Sequence, residues 1–80
     1  MNDLTLIIPA KNEKESLPNV LSELKKYNLN IIVVLEKEDF DTINSIKEYD
    51  CKILYQVNKG YGDALVQGLR NVKTNFFCIF

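Results

Sequence analysis

The sequence predicts an α/β fold of the doubly wound kind, in the order βαβαβαβ with a parallel sheet, and three observations carry that expectation. Four short runs are almost wholly apolar, as strands buried on both faces are. The segments between them repeat apolar residues at helical intervals, the mark of helices that lay one face on a sheet. The connections are long enough for crossover helices, which favours parallel pairing with right-handed crossovers.

Leu4-Thr5-Leu6-Ile7-Ile8, closed by Pro9, reads as the first strand. From Ser16 onward, Leu17, Val20, Leu21, Leu24 and Tyr27 have helical spacing. Ser16 is the candidate N-cap, and Pro18 is tolerated in the first turn. Asn30 leads into Ile31-Ile32-Val33-Val34-Leu35, a β-branched run that predicts a second buried strand. Phe40, Ile43, Ser45 and Ile46 fit a short helix opened by Asp39 or Asp41, and Lys52-Ile53-Leu54-Tyr55 is a shorter third strand, nearer an edge. A loop is expected from Asn58 to Gly62. Ala64, Leu65, Gly68, Leu69 and Val72 again have helical spacing, and Asn75 to Phe80 supplies the fourth strand. A strand as apolar as this last one is expected inside a sheet, carrying the chain to the carboxyl edge. No turn, cap or polar tail comes after it in the sequence, so residues 1–80 are read as the amino-terminal part of a larger domain. No internal repeat, low-complexity stretch or linker divides them.

Eighty residues make at most one domain, and a chain of this size buries only ~60% of the surface its unfolded form exposes. A net charge of −1 gives no electrostatic reason to expect nucleic acid or an anionic membrane as a partner. No segment approaches the ~20 apolar residues needed to span a bilayer, and no basic region with a long apolar stretch opens the chain. The expected location is cytoplasmic. Cys51 and Cys78 form no CxxC pair and there is no His to share a metal with them, so both are read as ordinary thiols in or near strands. The absence of His also removes the commonest general base at neutral pH and every Ser-His or Cys-His arrangement.

In a parallel sheet the ligand site lies in the loops after the carboxyl ends of the strands, and three such loops are polar here. The first is Pro9-Ala10-Lys11-Asn12-Glu13, the second Glu36-Lys37-Glu38-Asp39, and the third Asn58-Lys59-Gly60-Tyr61-Gly62-Asp63. In the third, two glycines one residue apart let backbone N–H groups approach a ligand just before a helix N-terminus, which suits phosphate. Lys59 would add a positive charge, while Asp63 in the first turn favours the helix dipole. The same residues are equally those of a tight turn and a cap. Asn12 and Glu13 stand where a strand hands over to a helix, as site residues or as capping residues. Glu36, Glu38, Asp39 and Asp41 form an acidic cluster that would bind a cation, accept hydrogen bonds from a base or sugar, or simply be solvated.

Taken together, Leu6-Ile7-Ile8-Pro9-Ala10-Lys11-Asn12-Glu13, then Ile32-Val33-Val34 before acidic residues, then Asn58-Lys59-Gly60-Tyr61-Gly62-Asp63-Ala64-Leu65 with Gly68, resemble the start of a family 2 glycosyltransferase. The resemblance covers the whole chain. It is nearest to the polyprenyl-phosphate hexose transferases, the group that includes dolichol-phosphate mannose synthases. It implies half of a Rossmann-like GT-A fold with sheet order 3-2-1-4, binding a nucleotide sugar donor (UDP- or GDP-sugar) at the carboxyl edge. Carried over residue by residue, Pro9, Ala10, Asn12 and Glu13 belong to the donor pocket, with Pro9, Ala10 and Glu13 lining base and ribose. Lys59 and Gly60 lie near the base or diphosphate, and Asp63 near the same pocket.

Members of the family show Asp-Asp-Gly-Ser after the second strand, the second Asp reading the base. Here Leu35-Glu36-Lys37-Glu38 stands there, so Glu36 takes that place with a longer side chain and the Gly-Ser turn is missing. The resemblance also implies a Mg²⁺ or Mn²⁺ ion held by an Asp-x-Asp after the fourth strand, with the catalytic base further on; none of those residues is in this chain. The implied acceptor is a polyprenyl phosphate or a glycan, and a parent associated with the cytoplasmic membrane face is part of the expectation. A sugar-nucleotidyltransferase fits less well, since it calls for a glycine-rich basic loop after strand one. A receiver domain needs an acidic pair after strand one and an Asp ending strand three, where Tyr55-Gln56 stands. A self-associating interaction module remains as the alternative outside enzymes, because an exposed strand edge pairs readily with a second copy.

Overall fold

A computed structural model describes residues 3–56 and 60–80. Strand β1 (Leu4–Pro9) is followed by helix α1 (Leu17–Leu24), a 3₁₀ turn (Lys25–Tyr27), β2 (Asn30–Leu35), helix α2 (Phe40–Ser45), β3 (Lys52–Tyr55), helix α3 (Tyr61–Arg70) and β4 (Phe76–Ile79). All pairings are parallel and the sheet order is β3-β2-β1-β4. The expected fold class, a Rossmann-like half sheet of βαβαβαβ order, is therefore the observed one.

Alternation along β1 and β2 divides the core between the two faces of the sheet. Leu6, Ile8, Ile31, Val33 and Leu35 point to one face, where they pack with Leu17 and Leu21 of α1 and with Ile43 and Ile46 in and beside α2. Ile7, Ile32 and Val34 point to the other, where Ala64 of α3 meets them. That second face has a close contact: a Cβ added at Gly68 would lie 2.6 Å from Cγ2 of Ile7, so the absence of a side chain lets α3 settle directly on the strand. Ala10 continues the ladder by donating its N–H to the Val34 carbonyl at 3.0 Å. Alternation then turns the nitrogen of Pro9 toward the β4 side, past the last registered pair, Ile7 with Ile79. A residue without an N–H interrupts no β1–β2 bond there.

Four local expectations are corrected. Tyr27 is not on the buried face of α1; it closes the 3₁₀ turn and is 56% exposed. Asn28 at φ +53° reverses the chain after it. Ser16 stands at the start of α1 in helical conformation and its hydroxyl caps no helical N–H; it donates to the Glu13 carboxylate instead. Phe40 opens α2 but is 67% exposed, because that helix spans only six residues and turns Thr42 and Ile43 inward. Gly62 belongs to the first turn of α3, not to a loop, and of the same expected loop Asn58 and Lys59 lie outside the described residues. Strand β4 stands last in the sheet, as the order 3-2-1-4 has it, with all four residues exposed. By register Phe77 and Ile79 share a face with Thr5 and Ile7, and Phe76 and Cys78 share the other with Leu4 and Leu6.

Candidate functional site

The ends of β1 and β2 and the start of α3 converge at the carboxyl edge of the sheet. A cleft of about 180 Å³ opens there between Pro9, Ala10 and Lys11 on one side, Glu36 and Gln56 at the ends of β2 and β3, and Gly60 and Ala64 of α3. Ligand clefts commonly run to ~300–1,000 Å³, so this one has room for a ring system and not for a whole nucleotide sugar. A wider, more polar trough adjoins it, sharing Lys11 and Glu36 and adding Asn12, Glu38, Asp39 and Asp41.

The walls of this site are braced to one another. Asn12 is held at φ +55°, a left-handed conformation that Asn tolerates better than most residues. Its N–H donates to the Asp39 carboxylate at 2.8 Å, and the next N–H, of Glu13, donates to the Thr42 hydroxyl at 3.0 Å. Thr42 is fully buried. The Glu13 carbonyl accepts the Leu17 N–H at 2.9 Å, so the loop after β1 is tied both to α1 and to the segment after β2. The Lys14–Asp41 ion pair is exposed on both sides at 3.8 Å, and such pairs add little. Asn12 and Glu13 therefore do not cap α1 from its first positions, since that helix opens four residues after Glu13. They fix the loop.

On the opposite wall Gly60 has φ +116° and ψ 151°, a backbone region open only to glycine. Its carbonyl accepts both the Ala64 N–H at 3.2 Å and the Gln56 side-chain amide at 2.8 Å. Asp63 lies in the first turn of α3, half-buried. Of the expected site residues, then, Pro9, Ala10, Glu36 and Gly60 line one cleft and Asn12 lines the trough beside it. Glu13 braces the loop behind them, Asp63 stands on the helix that supplies the far wall, and Lys59 lies outside the described residues.

Three lining residues fall outside the sequence-based set: Lys11, Gln56 and Ala64. Gln56 comes directly after the last residue of β3, and taking the first residue after every parallel strand would have found it. The acidic cluster does not act as one. Asp39 is engaged by Asn12 and Asp41 by Lys14, and among the described residues no three Cys, Asp or Glu gather to hold a metal ion.

Elsewhere the thiols of Cys51 and Cys78 are free. Burial, and secondarily the charge of Asp50, raise the pKa of Cys51. Among the described residues no helix is long and apolar enough to cross a membrane.

A parallel half sheet with a braced cleft at its carboxyl edge places the chain among the open α/β folds, whose ligands bind in a crevice at that edge. The family model described as glycosyl transferase family 2 matches residues 5–80, nearly the whole chain, and the chain belongs to that family. Comparison with curated proteins and comparison with solved structures each gave no match.

Proposed function

We propose that these residues form the donor-binding part of a glycosyltransferase that moves a hexose from a nucleoside diphosphate sugar, UDP- or GDP-linked, to a lipid phosphate or a glycan. The observation that carries the reading is the single cleft uniting Pro9 and Ala10, Glu36, and Gly60, drawn from three separate loops of a family 2 chain. Its apolar walls suit the flat face of a base and its one carboxylate suits the donors on a base edge. Ribose and diphosphate would leave toward the Gly60 turn and the start of α3, and Lys11 brings a positive charge to the same cleft. Asn12 and Glu13 brace the near wall, and Asp63 stands in the first turn of the helix that supplies the far one.

In the transfer an acceptor oxygen bonds to the anomeric carbon as that carbon's bond to the diphosphate oxygen breaks. The nucleoside diphosphate keeps the electron pair, and the acceptor's proton passes to a base. No residue among the 80 is assigned as that base, and a Mg²⁺ or Mn²⁺ ion on the diphosphate would take its ligands from outside them. The 80-residue chain is thus expected to bind nucleoside diphosphate weakly and to transfer nothing. Isothermal titration with UDP and GDP is the test. Saturable binding that Glu36→Ala weakens supports the reading; absence of binding to either, or hexose transfer by the pure chain, sinks it.

A second reading is favoured by β4 alone. An edge strand carrying Phe76, Phe77 and Ile79 in the open has no charged or proline residue on it to keep the edge from pairing. Sedimentation over a concentration series would show a shift to dimer if this edge recruits a second copy, and a constant monomer if it does not.

A further inference from the structure

We propose that Gln56 is a positioning residue of the cleft, whose side-chain amide fastens the Gly60 turn and so fixes the far wall before any ligand arrives. In its bearing on affinity the proposal rests on the reading of the cleft as a nucleotide site. Gln56 directly follows β3, is half-buried and borders the cleft together with Gly60. Its backbone is held at both ends of one peptide group. The Gln56 N–H donates to the Leu35 carbonyl at the end of β2 at 2.7 Å, and the carbonyl across that peptide, of Tyr55, accepts the side-chain amide of Gln67 from α3 at 2.6 Å. From that fixed base the Gln56 amide donates to the Gly60 carbonyl at 2.8 Å. A carbonyl only accepts, so it is the amide nitrogen that faces it.

Gly60 needs such a hold. At φ +116° and ψ 151° it occupies a region that only glycine enters, and glycine has more alternative conformations to return to than any other residue. Of the two donors on its carbonyl, the Ala64 N–H at 3.2 Å joins the turn only to its own helix, whereas Gln56 joins it to the sheet. The two glutamines cross between the same elements in opposite senses: Gln67 reaches from α3 to the end of β3, and Gln56 from the end of β3 to the start of α3. Gln56 is the one that borders the cleft. Deleting its donor forfeits one neutral hydrogen bond, which corresponds to about 3- to 10-fold more of the open turn. A ligand that needs the wall in place loses affinity by up to the same factor.

The test compares the native chain with Gln56→Met, which keeps the length and loses the donor, and Gln56→Glu, whose ionised carboxylate meets the Gly60 carbonyl with like charge. Limited trypsin digestion without ligand is expected to cut after Lys59 about 3- to 10-fold faster in both variants, with cutting at the other lysines and at Arg70 unchanged. Titration with UDP and GDP at about pH 7.5 should show both variants binding about 2- to 10-fold more weakly. At about pH 4.5, close to the ordinary glutamate pKa of about 4.3, the Gln56→Glu carboxyl regains an O–H donor in a large share of molecules. Its deficit against the native chain should then shrink, while that of Gln56→Met stays. Glu36 and Lys11 of the same cleft and Asp63 of α3 are common to all three proteins, so each pH carries its own native reference. Native rates of cutting after Lys59 in both variants overturn the clasp, and a rise at every site overturns it too, since Gln56 would then hold the whole fold and not the turn. Faster cutting after Lys59 with no loss of affinity for a diphosphate that the native chain binds overturns the role in the cleft. If the native chain binds neither diphosphate, the nucleotide reading falls, while faster cutting after Lys59 still supports the clasp on the far wall.

Discussion

Strands β2 and β4 are similarly apolar, Asn30-Ile31-Ile32-Val33-Val34-Leu35 against Phe76-Phe77-Cys78-Ile79, yet their surroundings differ completely. Five consecutive residues of β2 are buried, because β1 and β3 flank it and helices cover both faces of the sheet around it. In β4 every residue is exposed, with β1 as its strand neighbour among the described residues. Apolarity shows that a strand needs cover; position in the sheet decides whether it has any. Stability should accordingly be concentrated in the centre, and substitutions can test how steeply it falls toward β4.

The largest effect is expected at Ile7, which is fully buried and lies beneath Gly68. Ile7→Ala should cost about 2–5 kcal/mol by urea denaturation, enough to unfold much of a marginally stable chain. Gly68→Ala comes next: a methyl 2.6 Å from a side chain that has no room to yield should cost about 1–3 kcal/mol. If it proved neutral, α3 could move off the sheet without loss and the close approach would not matter. Thr42→Val keeps the shape and deletes the acceptor of the Glu13 N–H, for about 1–2 kcal/mol. At β4, Phe77→Lys should change the stability of a dilute sample by no more than about 0.5 kcal/mol. A large loss there would mean that the strand is covered in solution, by a second copy if the loss vanishes on dilution. The smallest effect is chemical. With limiting alkylating agent at neutral pH, exposed Cys78 should be modified before Cys51, whose thiol is half-buried and has a raised pKa, so that little of it is thiolate.

The order of elements was readable because strand and helix periods are properties of consecutive residues: Ile31 to Leu35 announce a strand wherever they are put. What misled was anything that depended on how far an element extends or what lies across from it. Tyr27 keeps the helical spacing of Leu17, Leu21 and Leu24 but falls after the helix has tightened into a 3₁₀ turn, which rotates it to solvent. The apolarity of β4 says nothing of which partners are present.

At the site, Pro9, Ala10, Glu36 and Gly60 could be named because strand ends and glycine turns are visible in sequence. That Asn12 and Glu13 use their backbone N–H groups, and that the acceptors are Asp39 and Thr42, could not, since the partners lie 27 and 29 positions away. Lys11 and Ala64 stand inside the family-like motifs and Gln56 directly after β3, but which residues of those stretches face the cleft depends on how the loops and α3 pack.

Those two backbone bonds bear on the entropy of binding. A loop that must be frozen by its ligand subtracts the cost of that ordering from affinity, about 0.5–1.5 kcal/mol for each flexible side chain immobilised. Here the segment after β1 is already fastened to Asp39 and to buried Thr42, so two walls of the cleft arrive as one piece. A ligand that entered between them would have only its own freedom to surrender on that side.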